Sequence, residues 1–258
     1  MQPKTKSPYF DLQAGFGNTK HMGGMKATKE LLASCYLEKG SRVLEIGCGV
    51  GFTSCHIAKT YGCRVVGIDN REEMVAWSRD RAKRNGLSNK TEFIVADAGK
   101  LPFKANSFDA VISESVLAFV KHKGKAVKEC VRVAKPGGYV ALNECYWVKA
   151  PPPELMKYLS HLYGPGWEYL VPSKWLKLFK GAGLKQVKAK TFKVSTTSQM
   201  ISEIQRLDAR ESLKMLSGFF SRIASPLGRR YMKEAMSAPR SIYKIFEYTG
   251  YGIYVGRK

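Results

Sequence analysis

Strand-like and helix-like segments alternate along this chain from residue 24 onward, and that alternation restricts its fold more than any other feature. MKATKELLASCYL (25–37) carries apolar residues at helical spacing, and SRVLEIG (41–47) reads as a short buried strand. A helix over 51–61, a strand over 63–69, a helix over 71–86 stopped by Gly86 and a strand over 91–97 follow. Then come a strand over 107–115, a helix over 124–134 closed by the breaker KPGG, and a strand over 139–147. Parallel strands need crossover helices, so this order predicts an open α/β sheet covered on both faces.

Beyond APPPE (150–154) the character changes. Two aromatic-rich helical pieces fill 153–183 around YGPGW, and LKQVKAKTF (184–192) alternates apolar and basic residues as a strand does. Residues 197–248 read as helical, with breaks near Ser225-Pro226 and Ala238-Pro239, and GYGIYVGRK (250–258) suits a closing strand. The expected division is a core with an N-terminal lid segment over 1–150, and a completion of the sheet over 151–258. The second part carries a helical cap at about 151–182 and 194–249.

Composition narrows the setting. No apolar run reaches the roughly 18 residues that cross a bilayer, and MQPKTKSPYFDL lacks the apolar centre of a signal peptide, so a cytoplasmic address is expected. The six cysteines form no C-x-x-C pair, which predicts reduced core residues and no metal site. The formal charge is +22, with 24 Lys/Arg against 14 Asp/Glu in residues 1–150 and 19 against 7 in the shorter remainder. Such an excess attracts nucleic acid, anionic membrane or an acidic substrate without specifying the fold.

The turn VLEIGCGVG raises the question of a cofactor. A dinucleotide fingerprint needs a third glycine where Phe52 stands, and a Walker loop needs a Gly-Lys-Ser/Thr ending that is missing. What remains is E-x-G-x-G-x-G, with Glu45 ahead of Gly47, Gly49 and Gly51. An acid there repels a pyrophosphate and suits an amine-bearing ligand. Asp69 ends the second strand, where an acid takes both hydroxyls of a ribose, and Asp97-Ala98 ends the third, where an acid and an amide read an adenine edge. A phosphate-free adenosine with a cationic, amine-bearing tail is S-adenosylmethionine.

VLEIGCGVG, VVGIDNREEMV, FIVADAGKLPF, FDAVISESVLAFV and VRVAKPGGYVAL resemble, in order and spacing, the motifs of class I S-adenosylmethionine-dependent methyltransferases. The similarity is greatest to the type 11 branch of ubiquinone/menaquinone, sterol and tocopherol methyltransferases. It covers about residues 20–145, and extends loosely to SKWLKLFKGAGLKQV and the closing strand. The resemblance implies a Rossmann-like, doubly wound, mostly parallel seven-stranded sheet with its last strand antiparallel. It further implies that Glu45, Gly47, Cys48 and Gly49 line the methionine moiety and that Asp69 binds the ribose. Asn70 and Met74 would border the adenosine, Asp97 and Ala98 would bind the adenine, and Ser113 and Glu114 would sit beneath the methyl group. Related enzymes cover the cofactor with a lead-in such as YFDLQAGFGNTKHMGG (9–24), which brings in Tyr9, His21 and Gly23.

Methyl transfer from a sulfonium is an in-line displacement, so a base is needed only where the acceptor must lose a proton. His21, His122 and Glu144 are the candidates. Aromatic and Met residues in 148–175 and 194–249 suggest a lid over an apolar pocket or a dimer seam. The leading expectation is a methyltransferase acting on a small lipophilic acceptor. An RNA or protein methyltransferase, or a non-catalytic cofactor-binding protein lying on a membrane surface, are the alternatives.

Overall fold

The computed structural model describes residues 7–194, 199 and 223–258. Seven strands form one sheet in the order β3-β2-β1-β4-β5-β7-β6. They are β1 (Arg42–Ile46), β2 (Arg64–Asp69), β3 (Thr91–Val95), β4 (Phe108–Glu114), β5 (Ala134–Trp147), β6 (Lys185–Lys193) and β7 (Thr249–Arg257). β1 pairs in parallel with β2 and β4, β2 with β3 and β4 with β5, while β7 runs antiparallel to both β5 and β6. The sheet is the Rossmann-like, last-strand-antiparallel arrangement that the motifs implied.

The helices are α1 (Pro8–Phe16), α2 (Gly24–Ala33), α3 (Phe52–Thr60), α4 (Glu72–Arg84), α5 (Lys123–Val133), α6 (Pro153–Tyr163), α7 (Pro172–Gly181), α8 (Pro226–Met236) and α9 (Ile245–Tyr248). Strands buried on both faces read as continuous apolar runs, and the alternate residues of β1 explain the two cores. Val43 joins Leu31, Ile57, Val75 and Ile112 under α2, α3 and α4. Leu44 and Ile46 join Val127, Leu142, Trp175 and Phe179 under α5 and α7. Truncating a buried leucine such as Leu44 to alanine costs about 2–5 kcal/mol in sites of this kind.

α4 shows why these segments are helical. Met74, Val75, Ser78 and Ala82 recur at helical spacing and are buried. Glu72 and Glu73 occupy the first turn and Arg81, Lys83 and Arg84 the last, complementing the helix dipole.

Three segments differ from the sequence reading. The lead-in forms a helix, α1, although only a covering segment was expected. β5 starts at Ala134, because KPGG passes through the strand as an irregularity opposite Phe108 and Ala110 with Gly137 left-handed. The helical stretch expected over 197–248 is described only at Gln199 and from residue 223; the remainder, with Met200, Met215, Phe219 and Phe220, lies outside the described residues. In the described part α8 begins at the expected break, where the Ser225 hydroxyl caps the helix by accepting the Gly228 amide at 3.1 Å.

Candidate active site

The carboxyl ends of β1, β2, β4 and β5 converge where open α/β sheets bind ligands. The chain leaves β1 through Gly47 (φ 69°) and Gly49 (φ 55°). A Cβ on Gly47 would stand 2.3 Å from the Val116 side chain, and one on Gly49 would stand 2.4 Å from the Thr19 methyl. Only glycine leaves this cradle open, as close approach of backbone to a ligand requires.

Two acids face the turn. Asp69 accepts the Gly49 amide through Oδ2 and the Arg71 amide through Oδ1, each at 3.1 Å. Burial pushes its carboxyl up from the ordinary value, while those amides and the Arg71 charge pull the other way. A carboxylate offers about four acceptor positions, so capacity remains for a ribose hydroxyl beside these amides. Glu45 is buried and accepts the Ser54 hydroxyl. Neither group suits a phosphate, and both suit an adenosine carrying an amine, so the residues present fit S-adenosylmethionine.

Behind the turn lies a buried polar cluster. Glu114 accepts the Thr28 hydroxyl at 2.9 Å and the Thr53 hydroxyl at 2.9 Å, and its Oε2 lies 3.5 Å from His21 Nε2. His21 Nε2 is 3.0 Å from the Thr28 hydroxyl oxygen. The Gln199 side chain clamps the strand of backbone above it, donating to the His21 carbonyl at 3.0 Å and accepting the Gly23 amide at 3.1 Å.

α1 closes over this crevice from the outside. Asp11 pairs with the buried Arg71, Ala14 packs with Val50 and Met74, and the Trp77 indole donates to the Ala14 carbonyl at 3.0 Å. The Ser7 hydroxyl donates to the Leu162 carbonyl at 2.6 Å, joining α1 to α6.

At the β4–β5 side the rings of Tyr9, Phe10, Phe119, Tyr163, Trp167 and Tyr169 meet. Centroids are 5.1 Å apart for Tyr9–Tyr163, 4.9 Å for Phe10–Phe119 and 5.2 Å for Phe119–Tyr163. Trp167 stands 5.4 Å from Tyr163 and 5.1 Å from Tyr169, mostly edge-on or tilted as ring quadrupoles prefer. Lys123 fixes the loops behind them, its Nζ donating to the carbonyls of Val120 (3.1 Å) and Gly166 (2.9 Å).

Glu144 has a different position from the one expected of a base. It is fully buried, and accepts the amides of Val116 (3.1 Å), Leu117 (2.7 Å) and Ala118 (3.2 Å). Burial pushes its carboxyl up to about 7 against those three bonds, which favour the ionised form. Both oxygens are engaged in holding the turn that carries Val116 to Gly47 and Phe119 to the aromatic group. His122 is exposed at the N-cap of α5, outside the buried cluster, whereas His21 is inside it. Tyr9 sits among the rings, and Gly23 faces the Tyr251 ring, where a Cβ would stand 2.4 Å away.

Met74 is buried under α1, Asn70 is exposed, and Cys48 lies 3.7 Å from the Ser78 hydroxyl with its thiol pushed up by burial. Asp97 is exposed and accepts the Gly99 amide at 2.6 Å, with Ala98 half-buried beside it. Ser113 Oγ is buried and has no partner among the described residues. Sequence reading missed Thr28, Gln199, Asp11, Arg71 and Lys123. The Thr53-Ser54 pair one residue beyond Gly51 was the one local signal, since hydroxyls there can reach acids on neighbouring strands.

Residues 44–142 match the family model described as a methyltransferase domain. An uncharacterized protein of Haemophilus influenzae is 32% identical over 177 residues, covering 67% of this chain and 70% of that protein. The chain belongs to the class I S-adenosylmethionine-dependent methyltransferases. Phosphoethanolamine N-methyltransferase 1 of Arabidopsis thaliana is 30% identical over 206 residues, covering 80% of this methyltransferase but 40% of the plant protein, so the chain spans about two fifths of that relative's length. Among solved structures, the [4+2]-cyclase SpnF superposes with a TM-score of 0.74 at 23% identity, covering 97% of this chain and 91% of that one. That likeness concerns the fold, and a cyclase on this fold is a reminder that chemistry resides in the site. Among the described residues no helix is long and apolar enough to cross a membrane, and no group of three metal-ligating side chains occurs.

Proposed function

We propose that this methyltransferase acts on a small lipophilic acceptor held against the rings of Tyr9, Phe119, Tyr163 and Trp167. The supporting observation is that this aromatic group borders the turn which Glu144 holds against the glycine cradle. S-adenosylmethionine supplies an electrophilic methyl group on a sulfonium. Asp69 would hold the ribose hydroxyls, Asp97 and Ala98 the adenine, Asn70 and Met74 the adenosine flank, and Glu45, Cys48 and the glycines the methionine portion.

The residues of the chain then have distinct tasks. Glu144 positions the β4 turn, and the rings exclude water and align the acceptor, the source of most of the acceleration in a displacement of this kind. Ser113 and Glu114, at the end of β4, would sit beneath the methyl group. Where the acceptor must lose a proton, His21 would be the group to take it. Its Nε2 lies 3.0 Å from the Thr28 hydroxyl oxygen and 3.5 Å from the Glu114 carboxylate. Residues 151–182, with part of 194–249, would form the cap over the acceptor.

The test is transfer of tritiated methyl from S-adenosylmethionine into a fractionated cell extract. Label that partitions into organic solvent, and falls when Phe119 is replaced by alanine, is the expected result. Label in precipitated RNA or protein would transfer the assignment to a macromolecular acceptor. Cofactor binding without any transfer would leave a non-catalytic binding protein.

A further inference from the structure

α8 turns two unlike faces to its surroundings. Inward, the helix packs on α1, Glu234 approaches His161 to 3.9 Å and pairs with Arg230, and Tyr231 lies near Tyr158. Outward, Arg229, Met232, Lys233 and Met236 recur at i, i+3, i+4 and i+7, which places them on one stripe. Met232 is 40% exposed and Met236 83% exposed. The following turn, Arg240–Lys244, adds Tyr243, 85% exposed, between two basic residues. Lys233, Arg240 and Lys244 have no acidic partner among the described residues. The outward stripe itself contains no acid.

We propose that the outer face of residues 226–244 docks this methyltransferase onto an anionic lipid bilayer. Charge complementarity selects an anionic surface, and the apolar side chains decide which kind. A nucleic acid engages cations and stacking rings and gains nothing from exposed methionines, whereas Met and Tyr beside Lys and Arg match the boundary between headgroups and acyl chains. The face stands on α1 and α6, which carry Tyr9 and Tyr163. A bilayer docked there lies at the rim of the proposed acceptor site. The docking stands or falls independently of methyl transfer.

The experiment is sedimentation of the full chain with phosphatidylcholine vesicles, with and without phosphatidylglycerol, beside a filter-binding measurement with RNA. Binding to the anionic vesicles and not to the neutral ones is expected. Lys233→Glu, Arg240→Glu and Lys244→Glu together weaken it by about 100-fold. Met232→Ser with Met236→Ser, which leaves the charge unchanged, weakens it by about tenfold. Reversing three charges on β6 instead, at Lys185, Lys188 and Lys193, changes it by no more than about threefold. Unaltered calorimetric binding of S-adenosylmethionine identifies variants that are folded. No vesicle binding, equal sensitivity to the β6 reversals, or indifference to the methionine substitutions each overturns the proposal. RNA binding that is lost on charge reversal and kept on methionine substitution would reassign the face to nucleic acid.

Discussion

The Asp69 carboxylate accepts the Gly49 amide at 3.1 Å, so the end of β2 and the turn leaving β1 are fastened to each other. Asp69→Ala leaves the Gly49 and Arg71 amides without their acceptor and removes the group proposed to hold the ribose. A stability loss of about 1–3 kcal/mol is expected. Affinity for S-adenosylmethionine should drop by about 100-fold, since charge-assisted hydrogen bonds are the stronger kind. Calorimetry decides this, and unchanged affinity would remove Asp69 from the site.

Gly49→Ala tests the cradle. The left-handed backbone costs an alanine about 1 kcal/mol, and the Thr19 methyl at 2.4 Å adds a clash. Thr19→Ser removes that methyl and keeps the hydroxyl, so the double variant should recover the clash and retain the backbone cost. Gly40→Ala, also left-handed but with nothing near its Cβ, supplies the backbone cost alone. Urea unfolding of these four variants beside the parent protein separates the contributions. Additive losses in the Gly49 and Thr19 pair would show that the two do not touch.

Glu144 makes stability depend on pH in an unusual direction. Its ordinary value of 4.5 rises to about 7 in the folded protein, so between these values the folded state binds the proton more tightly than the unfolded one. Its contribution is fully present below pH 4.5 and is lost as pH rises through 7. The loss is on the order of 3 kcal/mol. Glu144→Gln cannot ionise and should flatten this slope, while costing about 1–3 kcal/mol at pH 5 because its NH2 group opposes an amide donor. Unfolding curves at pH 5 and pH 8 read both effects; parallel slopes in the two proteins would contradict the assignment.

Tyr254 is fully buried, and its hydroxyl has no partner among the described residues. Tyr254→Phe deletes an unsatisfied group without changing the ring. Stability should stay level or rise by about 1 kcal/mol. A loss above about 2 kcal/mol in thermal or urea unfolding would reveal a partner for that hydroxyl, such as buried water.

The framework was legible because each strand of the first half is a compact apolar run and each helix has its own stripe. α4 and β2 lie within two residues of their expected limits. α1 was not legible as a helix, since it is short and contains Gly15, and its conformation depends on the distant partners Arg71, Met74 and Trp77. The acids at the strand ends could be listed from sequence, but their tasks could not. Glu114 and Glu144 stand at adjacent strand ends, yet one faces hydroxyls and a histidine and the other three amides. Which face a strand residue takes follows from register, and which donors wait there is decided by loops far away in the chain.

The sheet ends at β6, whose outer edge has no neighbouring strand among the described residues and whose residues are exposed nearly throughout. Such an edge is a template on which a second molecule can add its own strand and begin a fibril. Lys185, Lys188 and Lys193 put positive charge along that template, so two copies meeting edge to edge repel one another, while Lys190 pairs with Glu30. Part of the large basic excess of this chain thus lies along a sheet edge, where like charge opposes the addition of a further strand.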